Sequence, residues 1–143
     1  MSEERRLQLR KLIEAPVERV FLACTDAEKM SRWFSPKDMT ASVEMQPTVG
    51  GTYRVEMKET SGKLHTASGT VKEVIQNKKL VMSWRWEGPE GYETLLTIEL
   101  LPRGGATEVV LTHQGFSSDE GRDNHEKGWK SCLENLSAKI ATL

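Results

Sequence analysis

The sequence predicts an α+β fold in which a curved antiparallel sheet wraps around one long C-terminal helix, with two short helices after the first strand. Strand-like alternation broken by turn residues fills Asp38 to Phe116 in six segments, each of about 8–13 residues. The stretch from about Asp119 to Leu143 instead repeats apolar residues at steps of three and four. Ahead of both lie one strand pattern and two brief helical ones. Strands this long favour a strongly curved meander.

The elements follow in order. Leu7 to Ile13 alternates at first and then breaks, as a first strand. Ala15-Pro16 comes next, and proline at a first helical position is already shaped for it. Val17, Val20, Phe21 and Cys24 then recur at helical spacing. Thr25-Asp26 supplies an N-cap for a second short helix carrying Met30, Trp33 and Phe34, with Pro36 as a stop. The later strands are separated by turns at Pro47 to Gly51, Ser61-Gly62, Asn77-Lys78, Gly88 to Gly91 and Pro102 to Gly105. Tyr53, Val55 and Met57 share one face, as do Leu96, Ile98 and Leu100, and Val109, Leu111 and His113. Gly69, inside the fourth strand, reads as a bulge or bend. The final helix carries His125, Trp129, Cys132, Leu133, Leu136, Ile140 and Leu143 on one stripe. Gly128 interrupts it at a cost of roughly 1 kcal/mol against alanine, which points to a close approach or a bend.

Lys79 to Glu87 is the most informative run. As a strand it places Leu80, Met82, Trp84 and Trp86 on one face. Two indoles and flexible apolar side chains can simply be core, or can floor a concave apolar site.

Composition bounds the remaining possibilities. A chain of 143 residues fits one domain, 1–143, large enough for a real core. Its 29% charged residues leave a net charge of −1, so no global field draws it to nucleic acid or anionic lipid. Arg5-Arg6 and Lys78-Lys79 are too short to be more than solvated surface. No stretch reaches the ~20 apolar residues of a membrane span. The start, Met-Ser-Glu-Glu-Arg-Arg, lacks the apolar region of a signal peptide, so a cytoplasmic location is expected. Cys24 and Cys132 read as two reduced, half-buried thiols.

A cavity is expected between sheet and helix, because one helix cannot seal a long curved sheet. This order of elements resembles the helix-grip fold of the START-like, or SRPBCC, superfamily. Particular segments resemble one branch of it, the family named after the C-terminal domain of the chaperone-ATPase activator. They are Ala15-Pro-Val-Glu-Arg-Val-Phe21, Trp33-Phe34 with Pro36, Gly50-Gly51, Gly69-Thr-Val-Lys-Glu-Val74 and Leu80-Val-Met-Ser-Trp84. Gly105 to Phe116, and Gly128-Trp129 with Leu133 and Leu136, complete the set. The resemblance covers nearly the whole chain in the right order. It implies a ligand cavity between the long helix and the sheet, in a family whose members are mostly small bacterial proteins of no established activity. Fold alone does not fix function. It also implies a chaperone as an alternative partner. The 143 residues have no room for that co-chaperone's N-terminal module, however, so direct chaperone work is not expected.

With that fold, Trp84, Trp86, Trp129, Met57, Tyr53 and His113 point toward a shared interior, Leu133 joins them from the helix, and Phe34 and Trp33 stand near the mouth. Trp33 can equally anchor the short helix. His113 is read either as a core histidine satisfied by a neighbouring hydroxyl or carbonyl, or as the polar contact that orients a ligand. His125 could approach the same opening or lie on the surface, and His65 is read as surface. Glutamates 56, 73, 93, 99 and 108 fall on the outer faces, and no inward carboxylate pair is evident. No metal-ligand spacing, phosphate loop or nucleophile elbow is present, and no cofactor is expected. The expected function is binding of a small hydrophobic or aromatic molecule. The alternatives are a cyclase- or hydrolase-type enzyme acting through His113 in the same cavity, or a co-chaperone-like interaction module.

Overall fold

Seven strands form one antiparallel sheet, and the chain's first strand returns to lie beside its last. The computed structural model describes residues 5–36 and 38–143. Met-Ser-Glu-Glu at the start, read above as lacking a leader, lies outside them. The elements are β1 (Arg6–Ile13), α1 (Val17–Thr25), α2 (Ala27–Met30), β2 (Met39–Met45), β3 (Thr52–Glu59) and β4 (Leu64–Ile75). They continue with β5 (Lys79–Trp86), β6 (Thr94–Arg103), β7 (Ala106–Gln114) and α3 (Asp119–Lys139). The sheet order is β1-β7-β6-β5-β4-β3-β2. Four of the five expected turns fall between strands, the fifth narrows to Gly104-Gly105 because Pro102 and Arg103 still pair within β6, and Asn77 takes the left-handed conformation that a tight turn asks for. Consecutive hairpins therefore build the whole sheet, and only the β1–β7 pairing is long-range.

Alternation dictates which face is buried. Tyr53, Val55 and Met57 of β3, Leu96, Ile98 and Leu100 of β6, and Val109, Leu111 and His113 of β7 all point into the core. α3 lays Trp129, Cys132, Leu133 and Leu136 over that face. Ser118 caps the helix by accepting from the Gly121 N–H at 3.0 Å, and Asp119 and Glu120 in the first turn suit the helix dipole.

Several details differ from the sequence reading. α2 ends at Met30, so Trp33 and Phe34 lie in the turn beyond it. Asp26 does cap it, accepting from the Lys29 N–H at 3.0 Å, but Thr25 closes α1 and bonds back to the Phe21 carbonyl. The indole N–H of Trp33 donates to the Ala23 carbonyl at 2.8 Å, which ties this turn to α1. The bulge in β4 falls at Lys72, where the register slips between Val71 and Glu73. Gly69 instead marks a close approach of two strands, since a Cβ there would stand 2.0 Å from the Ser83 carbonyl oxygen. The last turn tightens to a 3-10 helix over Ile140–Thr142. Both thiols are fully buried, not half-buried, and burial pushes each up to about 12. No described helix is long and apolar enough to cross a membrane.

Candidate functional site

The interior face of the sheet and α3 do not meet everywhere. Between them is a cavity of about 350 Å³. β5 contributes Trp84 and Trp86, β3 Met57, and β4 His65. α3 contributes Gly121, Asn124, His125, Gly128, Trp129 and Cys132, and Pro36 and Met39 complete the lining. A second hollow of about 390 Å³ adjoins it, sharing Trp84, Trp86 and His125 and running along Glu87 to Tyr92.

Aromatic side chains set the geometry. Trp84 meets Trp86 edge-to-face at 5.5 Å between ring centres and Trp129 at 5.2 Å. These are the arrangements that the ring quadrupoles favour. Gly128 leaves the helix surface open here, because an added Cβ would touch only Pro36 Cγ, at 4.0 Å. It gives room to the cavity rather than letting a neighbouring element pack closely.

Behind the walls lies a closed chain of hydrogen bonds. Trp129 Nε1–H donates to His113 Nδ1 at 3.0 Å. That fixes the proton of His113 on Nε2, 2.6 Å from Thr94 Oγ1, and Thr94 donates onward to the Trp84 carbonyl at 2.8 Å. His113 is wholly buried, and burial, aided by the nearby His125, pushes its pKa down to about 2. It is thus a neutral core histidine satisfied by a hydroxyl and an indole. His125 stands beside it, with ring centres 5.1 Å apart. Its Nδ1–H donates to the Gly121 carbonyl at 2.7 Å, which leaves Nε2 to accept from Trp86 at 2.8 Å. Burial lowers its pKa, partly offset by the bond to Gly121.

Of the side chains expected at the site, Trp84, Trp86, Trp129 and Met57 line the cavity. His113, Tyr53, Phe34 and Leu133 do not. Tyr53 packs 6.3 Å from Trp84 and donates its hydroxyl to the Ser83 carbonyl. Phe34 is fully buried with its ring edge-on to Trp129 at 5.5 Å, and Leu133 is core. His65 is not simply surface, since it lines the cavity, bonds the Glu59 carboxylate and holds that carboxyl below its usual range. Period-two counting carried the signal, because His65 shares a face with buried Ala67 and lies directly opposite Met57. Among the described residues, no group of three or more His, Cys, Asp or Glu side chains could hold a metal ion.

A curled seven-stranded sheet closed by one C-terminal helix over an aromatic-walled hollow defines a helix-grip protein. Residues 14–141 match the family described as "Activator of Hsp90 ATPase homolog 1-like protein", and the chain belongs to that family. It is 24% identical over 111 residues to the human activator of 90 kDa heat shock protein ATPase homolog 1, a match covering 74% of this chain and 31% of that protein. The mouse counterpart is 23% identical over the same share. The chain thus spans about a third of the length of the curated relatives it matches. A Chromobacterium violaceum protein of solved structure superposes with a TM-score of 0.89 at 24% identity, covering 96% of this chain and 97% of that one. The AHSA1 protein from Silicibacter pomeroyi gives 0.87 at 25% identity, covering 96% and 98%. These likenesses establish the fold.

Proposed function

We propose that this protein binds a small hydrophobic or aromatic molecule in the cavity between α3 and the sheet. Trp84, Trp86, Trp129 and Met57 are its walls, and His113, Tyr53, Phe34 and Leu133 hold those walls from behind. The observation that carries this reading is the 350 Å³ hollow lined by three indoles and two methionines, with few polar groups. Such a volume and lining fall within the usual range of about 300–1,000 Å³ for small-molecule sites. The fold commonly holds hydrophobic ligands.

Catalysis through His113 has less support. A general base needs a free lone pair within reach of substrate, and both nitrogens of His113 are engaged inside the core. A chaperone-docking role would need a continuous apolar face. The exposed large apolar side chains Leu12, Leu22, Val49, Leu64, Ile75 and Tyr92 are instead spread over strands, a helix and loops.

Native mass spectrometry of freshly purified protein tests the reading, followed by titration of the stripped protein with a hydrophobic fluorescent dye. A retained small molecule, or saturable dye binding at one site, is expected. Protein that carries nothing and binds no dye would overturn it.

A further inference from the structure

His65 is the histidine whose ring keeps a nitrogen to spare. Both nitrogens of His113 are engaged, by Trp129 and Thr94, and both of His125, by Trp86 and Gly121. His65 bonds the Glu59 carboxylate through Nε2. A carboxylate can only accept, and that bond holds the Glu59 carboxyl below its usual range, so Nε2 carries the proton. In its neutral form the ring then keeps a lone pair on Nδ1. That atom has no partner among the described residues, yet it is not shut in. Trp84 Nε1 is the one buried side-chain nitrogen or oxygen left without a partner among them, so Nδ1 of His65 is accessible.

Position decides where Nδ1 opens. His65 lies opposite Met57 and in step with buried Ala67, on the concave face of the sheet, and it lines the 350 Å³ cavity. Its side chain is 33% exposed. With the strands behind it, the accessible part of the ring faces the hollow. The other walls offer a ligand little to bond. The N–H groups of Trp86 and Trp129 are already engaged by histidines, and that of Trp84 is buried. No Lys, Arg, Asp or Glu is among the described lining residues. Asn124, exposed on α3, can both donate and accept, so it selects neither kind of ligand.

We infer, resting on the binding function proposed above, that the cavity takes a hydroxylated aromatic molecule whose O–H donates to His65 Nδ1. Glu59 acts behind it as a positioning residue. Its carboxylate holds the imidazole in the accepting tautomer, and the hydrogen bonds on the two ring nitrogens polarise and strengthen each other. The indoles supply shape. An apolar cavity of about 150 Å³ holds benzene, so 350 Å³ suits roughly two rings.

Competition against a hydrophobic fluorescent dye near neutral pH tests this with a matched pair of probes, 2-naphthol and its methyl ether 2-methoxynaphthalene, which cannot donate. Naphthol should bind tighter than the ether, and His65→Phe should shrink that preference by roughly threefold to tenfold, the net worth of one hydrogen bond. In long-range proton–nitrogen NMR spectra the Nδ1 signal of His65 should move on adding naphthol but not the ether. In Glu59→Gln the same spectra should show the His65 ring populating both tautomers, and the preference should weaken. If His65→Phe fails to fold, the wild-type preference and the moving Nδ1 signal decide alone. A preference for the ether, one that survives in His65→Phe, or an Nδ1 signal that naphthol leaves in place would overturn this inference while leaving the binding function intact. An unchanged tautomer in Glu59→Gln would overturn the role of Glu59. Protein that binds neither dye nor probe would overturn both inference and function.

Discussion

Trp86 donates its indole N–H to Nε2 of His125 at 2.8 Å, and this bond joins the sheet to the last helix at the partition between two adjoining hollows. His125 can accept only because its other nitrogen donates to the Gly121 carbonyl one helical turn earlier. A backbone carbonyl in α3 thereby fixes a tautomer, the tautomer fixes an indole, and the indole shapes a cavity wall. The indole of Trp84, two residues back on the same strand face, makes no hydrogen bond and is held by packing against Tyr53, Trp86, Trp129 and His113.

Truncating the two strand tryptophans should therefore have unequal effects. Trp84 is almost wholly buried, and Trp84→Ala should cost about 3–5 kcal/mol in urea unfolding. Trp86 is half-buried and borders open space, so Trp86→Ala should cost less than 3 kcal/mol yet abolish binding of a hydrophobic dye. Equal, large losses from both would make these indoles ordinary core.

Gly128→Ala should raise stability and weaken binding together. The helix gains up to about 1 kcal/mol, or about 3 °C in melting temperature, because the new methyl meets only Pro36 Cγ at van der Waals distance. The same methyl intrudes on the cavity, so affinity for a ligand that fills it should fall. A variant that is more stable and binds unchanged would show that the ligand sits elsewhere.

Gly69→Ala should be among the most damaging single-methyl changes. Its Cβ would lie 2.0 Å from the Ser83 carbonyl oxygen and 2.9 Å from Ser83 Oγ, so β4 and β5 would have to part. A loss of about 3 kcal/mol is expected from overpacking against backbone. Gly105→Ala, with nothing within 4 Å of its Cβ, should change stability by no more than about 0.5 kcal/mol. Chemical denaturation of the two variants side by side checks the contrast.

What could be read from sequence tracks what is local. Hairpin turns and alternation are short-range, so all six strands from Met39 to Gln114 and the stripe of α3 were legible. The wall formed by Trp84, Trp86 and Met57 follows from period two alone. His113 was legible as inward-facing, but not its enclosure, because Thr94 and Trp129 lie 19 and 16 residues away and reach it only through tertiary packing. The same applies to His125, whose meeting with Trp86 spans 39 residues. Gly69 was visible as a special position, but whether it bends a strand or admits a neighbour depends on where Ser83 lies.

Acid stability should be governed by the histidine that the core encloses. In the unfolded chain His113 takes up a proton near pH 6.5, whereas in the fold burial holds its pKa down to about 2. Below pH 6.5 the unfolded state therefore binds a proton that the folded state refuses, and stability falls as pH drops. Above pH 6.5 both states are neutral and this residue adds no pH dependence. The linkage slope is about 1.4 kcal/mol per pH unit once well below 6.5, which amounts to about 2 kcal/mol between pH 7 and pH 5. His125, also lowered by burial, acts in the same direction. The carboxyls of Glu59, Glu87 and Glu108 are held low by hydrogen bonds from His65, Arg54 and Arg10, and what they contribute is lost only below their unfolded value of about 4.5. The interval from pH 5 to 7 thus isolates the histidines. Urea unfolding across it should show the decline in the wild type and a shallower one in His113→Gln, which cannot titrate. A wild-type curve that stays flat from pH 7 to 5 would mean that His113 takes its proton inside the fold, contrary to its closed set of partners.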